Sequence, residues 1–193
     1  LTLAMPKPLL EVAGRPFVDI LVGEAIRRGF TNILLLAGHA APVVNSYVAG
    51  RRATLPQGVT LEVVVESEPL GTGGAVRNAL AQLDDRFLLM NGDTWFDFNW
   101  LDLALAPAEG AVIAGRAVPL ADRYEHLAID HGGRVTAIVP RGQHARDGVI
   151  NGGLYVLDKA DIAAARDKFS IEADLLPRLV AEGRLTARVH SGF

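Results

Sequence analysis

Cysteine is absent from the chain. Disulfides and thiolate metal sites are therefore excluded, and the composition fits a reducing compartment such as the cytoplasm. Long apolar runs are absent too: none approaches the ~20 residues that a membrane-spanning helix needs. The charge balance lacks a basic excess, with 19 Lys and Arg against 22 Asp and Glu. No overall field draws nucleic acid. Aromatic residues are few and scattered, which leaves no stacking stripe for a single strand. The histidines, at 39, 126, 131, 144 and 190, show no H-x-x-x-H spacing, so zinc loses its usual signature. No G-x-S-x-G elbow is present. A G-x-G-x-x-G with an acidic residue ~20 positions on is also missing, which disfavours a dinucleotide-dependent oxidoreductase.

What is there suffices for one sizeable core: 193 residues, half of them hydrophobic. Short apolar runs alternate with amphipathic segments. Ile33–Ala37, Val59–Val65, Phe87–Met90 and Ala111–Val118 read as strands, the first and third apolar throughout, as strands covered on both faces are. Pro16–Arg28, Pro42–Val48 and Gly74–Leu83 read as helices. This alternation predicts an α/β fold with a mostly parallel, Rossmann-like sheet flanked by helices. After residue 120 the rhythm changes. Residues 126–139 read as a hairpin around a Gly-Gly turn, 148–158 as a strand, 170–183 as a helix capped by Ser170, and "LTARVHS" as a closing strand. We expect one domain over 1–193, with a nucleotide-type part at 1–118 and a smaller β-rich lobe at 119–193. Leu1 and the ending "HSGF" suggest an incomplete chain.

Three stretches carry chemistry. "FLLMNGDTWFD" ends an apolar strand on Asn91, Gly92 and Asp93. In open parallel sheets ligands sit outside the carboxyl ends of strands. A carboxylate there suits Mg2+, which takes one or two carboxylates plus phosphates and water; it also suits a turn or a helix cap. "LGTGGA", residues 70–75, follows a strand and opens a helix. Its glycines admit close approach of a ligand, and helix-start N–H groups favour phosphate; a plain tight turn is the alternative. In "MPKPLLEVAGRPF", Lys7 stands between prolines that hold the backbone extended, which pre-orders a cation.

Taken in order, "PKPLLEVAGRPF", "EPLGTGGA" and "LLMNGDTWFD" resemble the sugar-phosphate nucleotidyltransferases. "INGGLYVLD" and "FSIEADLLPRL" look like the sugar-side segments of that family. Within it, the series looks most like the heptose 1-phosphate guanylyltransferases. The resemblance implies a reaction between a nucleoside triphosphate and a sugar 1-phosphate, with Mg2+ as cofactor, as a step in nucleotide-sugar supply for surface glycans. No nucleic acid or membrane partner is implied; a homodimer is compatible. It assigns Asp93 to the metal and Lys7 to phosphate charge at the reacting centre. It gives the nucleotide to Glu66, Leu70, Gly71, Thr72, Gly73, Gly74, Asn91 and Gly92, and the sugar to Asn151, Gly152 and Glu172. Glu66, an acceptor only, matches guanine N1–H and N2–H2 better than the single N–H of uracil or thymine.

The family also begins with a glycine-rich strand-loop, and a second metal-binding aspartate is expected shortly beyond "HSGF". Its usual E-K-P is "VPRG" here, which brings Arg141 to the lysine position. The alternatives are an N-acetylmuramate 1-phosphate uridylyltransferase, a mannose 1-phosphate guanylyltransferase, a thymidylyltransferase, and a catalytically silent nucleotide- or sugar-binding regulatory domain.

Overall fold

The computed structural model describes residues 5–119, 123–142 and 147–192. In chain order, the short strands β1 (Glu11–Val12) and β2 (Arg15–Pro16) make a hairpin ahead of helix α1 (Phe17–Arg27). Then come β3 (Asn32–Ala37), α2 (Ala41–Arg52), β4 (Thr60–Val65), α3 (Gly71–Asn78) and β5 (Arg86–Met90). The short helix α4 (Trp100–Ala104) leads to β6 (Ala111–Val118). The hairpin β7 (His126–Ile129) and β8 (Val135–Val139) precedes the long β9 (Gly148–Asp158). Helices α5 (Lys159–Ala163) and α6 (Leu176–Ala181) and strand β10 (Leu185–His190) complete the chain.

The expected α/β layering is present, but the sheet is more mixed than the alternation suggests. β3 and β4 are parallel, as are β6 and β10. β9 runs antiparallel to its neighbours: its second half lies between β5 and β6, and its first half meets β7 through Ile150 and His126. Apolar periodicity reports burial, not strand direction, so this reversal is invisible in the pattern. β9 and β10 come from the second part of the chain and pair with β5 and β6 from the first, so both parts share one sheet.

Successive strand residues point to opposite faces, and both faces of this sheet are covered. Ala111, Ile113, Tyr155 and Leu157 pack on one side with Val76, Ile162, Ile171 and Leu179 of the helices. Val112, Ala114, Leu154 and Val156 face the other way, towards Leu21, Trp100 and Leu103. A third cluster joins Leu9, Val18, Val22, Val48 and Leu61 around the β3–β4 pair.

β3 and β5 do not pair. Between them runs an apolar cleft of about 770 Å³, lined along its length by Leu34, Leu36, Phe87 and Leu89. Gly38 and His39 at the end of β3, Gly92 past the end of β5, and Pro6 and Pro8 also border it. The cleft therefore runs to the carboxyl ends of the strands, where the sequence motifs cluster.

Candidate active site

The loop after β5 places Asp93 at the surface, as expected of a residue past a strand tip. Asp93 lies in the turn that follows the strand, and among the described residues its carboxylate has no hydrogen bond or ion pair, so it caps no helix. The next helix is capped instead by Asn99, which accepts from Leu101 N. Among the described residues no group of three or more His, Cys, Asp or Glu side chains is arranged to hold a metal ion. A single exposed carboxylate is a donor set for a hard, largely hydrated ion that also binds substrate phosphates, not for an all-protein cage.

The proline-flanked lysine reaches the same place by another route than expected. Lys7 to Leu9 form one 3-10 turn, with Leu9 N–H donating to Pro6 O at 2.9 Å, so the backbone at Lys7 is turned and not extended. A residue before proline avoids helical geometry when free. Here burial of Leu9 against Val18 and Val22 outweighs that preference. Pro8 rests on Gly92, where an added Cβ would meet its ring at 3.1 Å. The turn bearing exposed Lys7 is thus held beside the loop bearing Asp93.

The glycine segment is both helix start and packing surface. α3 begins at Gly71, earlier than the predicted Gly74, and Gly71 needs φ +79° to make the turn. Gly73 and Gly74 do not offer free N–H groups to a phosphate. Both donate to the Phe169 carbonyl, at 3.0 and 3.2 Å. A Cβ on Gly73 would overlap the Phe169 ring, and one on Gly74 would lie 2.5 Å from Asp167 O. These glycines exist so that residues 167–169 can lie directly on the helix. Leu70 extends the clamp by accepting from Phe169 N–H through its carbonyl.

Glu66 follows β4 and turns its carboxylate back. Leu70 N–H donates to Glu66 Oε2 at 3.1 Å, and the other oxygen lies directly over Gly38. Gly38 was not singled out from sequence; its position after an apolar strand was the available signal.

The sugar-side candidates come from β9 and the segment before α6. Three β9 residues, Gly152 to Leu154, oppose the single residue Ala114 of β6. Such bulges re-aim side chains near functional sites. Gly152 allows the approach of Phe96 and of Ala114 O, and Gly153 O accepts from Asn91 N at 2.9 Å. The bulge thereby ties Asn91 to Asn151. Asn151 Oδ1 accepts from Gly153 N at 2.9 Å, and its Nδ2 donates to the Tyr155 hydroxyl at 2.8 Å. Tyr155 was missed; its ring reads as core by alternation. Burial pushes its hydroxyl well above the ordinary phenol range; the Asn151 hydrogen bond opposes this and the nearby Glu172 charge adds to it, so it stays protonated.

Ser170 caps the following turn as expected, accepting from Ala173 N at 3.1 Å. The turn itself is π-wound over Ile171–Leu175 and becomes α-helical only at Leu176. Pro177 supplies the reason: it has no N–H for the Ala173 carbonyl and its ring crowds that position. π-turns recur at functional sites, and this one carries Glu172. Glu172 Oε2 accepts from Thr72 Oγ1 at 2.8 Å and from Ser170 Oγ at 3.0 Å. Arg141 is exposed in the turn after β8, and no described contact joins it to these residues.

The contacts thus join the candidates around the strand ends in small sets: Glu66 over Gly38, Pro8 of the Lys7 turn on Gly92, Asn91 with Asn151 and Tyr155 through the bulge, and Thr72 with Glu172. Comparison with known proteins gives this arrangement a family. The family model described as "Nucleotidyl transferase" matches residues 1–190. The chain belongs to that family.

Among the relatives of this nucleotidyl transferase is the D-glycero-alpha-D-manno-heptose 1-phosphate guanylyltransferase of Aneurinibacillus thermoaerophilus. It is 27% identical over 180 residues, covering 90% of this chain and 76% of the relative. The crystal structure of HddC from Yersinia pseudotuberculosis superposes with a TM-score of 0.87 at 32% identity, covering 98% of this chain and 83% of that one. HddC is also known complexed with GMP-PN, at a TM-score of 0.86. The UDP-glucose pyrophosphorylase from Acinetobacter baumanii, 20% identical at a TM-score of 0.75, shares the fold.

Proposed function

We propose that this nucleotidyl transferase transfers GMP from GTP to a sugar 1-phosphate, with D-glycero-alpha-D-manno-heptose 1-phosphate as the favoured acceptor. The observation that carries the reading is that the loop bearing exposed Asp93 and the turn bearing Lys7 meet, through Gly92 and Pro8, at the carboxyl ends of the strands, with the Glu66 carboxylate after β4 held by Leu70 N–H. Relatives named for heptose 1-phosphate guanylyl transfer, and a GMP-PN complex of HddC, support the choice of nucleotide and sugar.

In the reaction, an oxygen of the sugar 1-phosphate attacks the α-phosphorus of GTP. One P–O bond forms, the bond to the bridging oxygen breaks, and pyrophosphate leaves in line. A phosphate monoester is largely dianionic at neutral pH, with a second pKa of about 6. The nucleophile needs no protein base, and no histidine is among the proposed site residues. The obstacle is repulsion between polyanions, so placement and neutralisation carry the catalysis. Lys7 brings a mobile cation to the phosphates. Asp93 would hold Mg2+, which supplies the remaining positive charge. Glu66 accepts from the base, Gly71 borders the nucleoside, and Glu172 and Asn151 accept and donate to sugar hydroxyls.

The cleft between β3 and β5 supports a further strand of the kind the resemblance expects with its glycine-rich loop. The cleft holds about 770 Å³ between two apolar strands.

The deciding assay measures pyrophosphate release by the gene's full-length product. GTP, UTP and dTTP are each paired with heptose, mannose and N-acetylmuramate 1-phosphates. Turnover confined to a pyrimidine triphosphate overturns the guanylyl assignment. Binding of nucleotide without any turnover returns the chain to the silent regulatory reading.

A further inference from the structure

Thr72 sits in the glycine segment, where its neighbours argue for a contact with the nucleotide. Its hydroxyl is engaged elsewhere. The O–H donates to Glu172 Oε2 at 2.8 Å, and the oxygen accepts Ile171 N–H at 2.9 Å. A hydroxyl has one proton to give, and this one faces the sugar side. Ser170 does the same from the other direction, donating to the same Oε2 at 3.0 Å while accepting Ala173 N–H. Glu172 is therefore fixed through one oxygen by hydroxyls from separate segments. Among the described residues Oε1 has no hydrogen bond.

The surroundings make this fixation firm. Gly73 and Gly74 donate to Phe169 O, and Phe169 donates to Leu70 O, so the loop of Thr72 and the backbone ahead of Glu172 form one unit. The glycines leave no room for slippage, because Phe169 lies where their side chains would be. A glutamate has freely turning side-chain bonds; held at Oε2, it presents Oε1 in one direction. Hydrogen bonds from hydroxyls to an ionised carboxylate are among the stronger ones.

We infer that Thr72 is a positioning residue for the sugar 1-phosphate: its hydroxyl sets the Glu172 carboxylate so that Oε1 is the acceptor offered to a sugar hydroxyl. The inference rests on the sugar-binding reading of Glu172. It reassigns Thr72 from the nucleotide to the acceptor substrate. It also links the two substrates, since the loop that borders the nucleoside holds the side chain that reads the sugar.

The test uses steady-state kinetics of the full-length product with GTP and D-glycero-alpha-D-manno-heptose 1-phosphate. Thr72→Val keeps the shape and removes the hydroxyl. It should raise KM for the sugar phosphate about tenfold, the effect of losing one hydrogen bond to a charged group. KM for GTP should stay within about twofold, and Thr72→Ser should restore the sugar KM to near the parent value. A rise in the GTP KM with an unchanged sugar KM overturns the proposal, as does no change in either. If Thr72→Val fails to fold, Thr72→Ala gives the same readout without added bulk at the hydroxyl position. Glu172→Ala separates the failures. If it leaves the sugar KM unchanged, the reading of Glu172 itself falls. If it raises the sugar KM while Thr72→Val does not, only the positioning role falls.

Discussion

Gly38 lies beneath Glu66 so closely that an added Cβ would overlap the carboxylate oxygen Oε1. The obstructing atoms are the far end of a flexible side chain, with no backbone among the nearest. Gly38→Ala should therefore cost little stability and instead displace the Glu66 carboxylate from Leu70 N–H. Melting should shift by no more than about 1 kcal/mol equivalent, within the range of mild substitutions. Affinity for GTP should fall about tenfold, roughly 1.4 kcal/mol, measured by titration calorimetry. Unchanged affinity would show that Glu66 does not touch the nucleotide.

Asp93 is exposed and unpartnered among the described residues, so its replacement has no packing to break. Asp93→Asn should leave the melting curve within about 0.5 kcal/mol of the parent. Turnover with Mg2+ should drop at least ~100-fold, as expected when charge stabilisation at a reacting centre is removed. Retained turnover at saturating Mg2+ would defeat the metal assignment.

Gly73 is the opposite case. A Cβ there overlaps the Phe169 ring, which is itself buried at 4% exposure. Gly73→Ala should destabilise by about 1–3 kcal/mol through overpacking. In a Phe169→Leu background the added methyl meets a smaller side chain, so the extra cost should shrink. The difference, read from urea unfolding as a double-mutant cycle, should be at least about 0.5 kcal/mol. Additive costs would mean that the glycine serves only the backbone.

That contact also marks the limit of what the sequence could tell. β6 and β9 were legible, because their apolar runs are buried on both faces: Val112 and Val156 on one side, Ile113 and Tyr155 on the other. Asp93 was legible because an apolar strand ends just before it, and Ser170 because a hydroxyl ahead of an amphipathic segment caps it. The partners of the glycines were not. Phe169 and Glu172 meet Gly73 and Thr72 from about 100 positions away, and no local period records such a meeting. The π-turn was hidden for a related reason: Pro177 marks a disturbed helix but does not say how the turn before it relaxes. The cleft between β3 and β5 was equally out of reach, since pairing partners are a property of topology.

His190, at the end of β10, gives a prediction in pH. Its ring stacks on Phe98 at 4.1 Å between centroids, and its Nε2 is buried without a hydrogen-bond partner among the described residues. Desolvation lowers its pKa below the ordinary value; Asp102, 3.7 Å away, opposes this, and Arg188 adds to it. The fold thus favours neutral imidazole, while the unfolded chain takes up a proton near pH 6.5. Between these values the unfolded state binds more protons, so stability rises with pH. The contribution is fully present above about pH 6.5 and is lost as pH falls towards the lowered folded value. Asp19, Glu24 and Asp174 have lowered carboxyl pKa values, so their losses come at more acidic pH, below about 4.5. Melting temperature should therefore fall between about pH 7.5 and 5.5, and His190→Gln should flatten that slope. Asp102→Asn removes the charge that favours imidazolium, lowers the folded pKa further, and should steepen the loss. Parallel curves for all three proteins would show that the histidine ring is solvated, and that its stacking on Phe98 carries no penalty for charge.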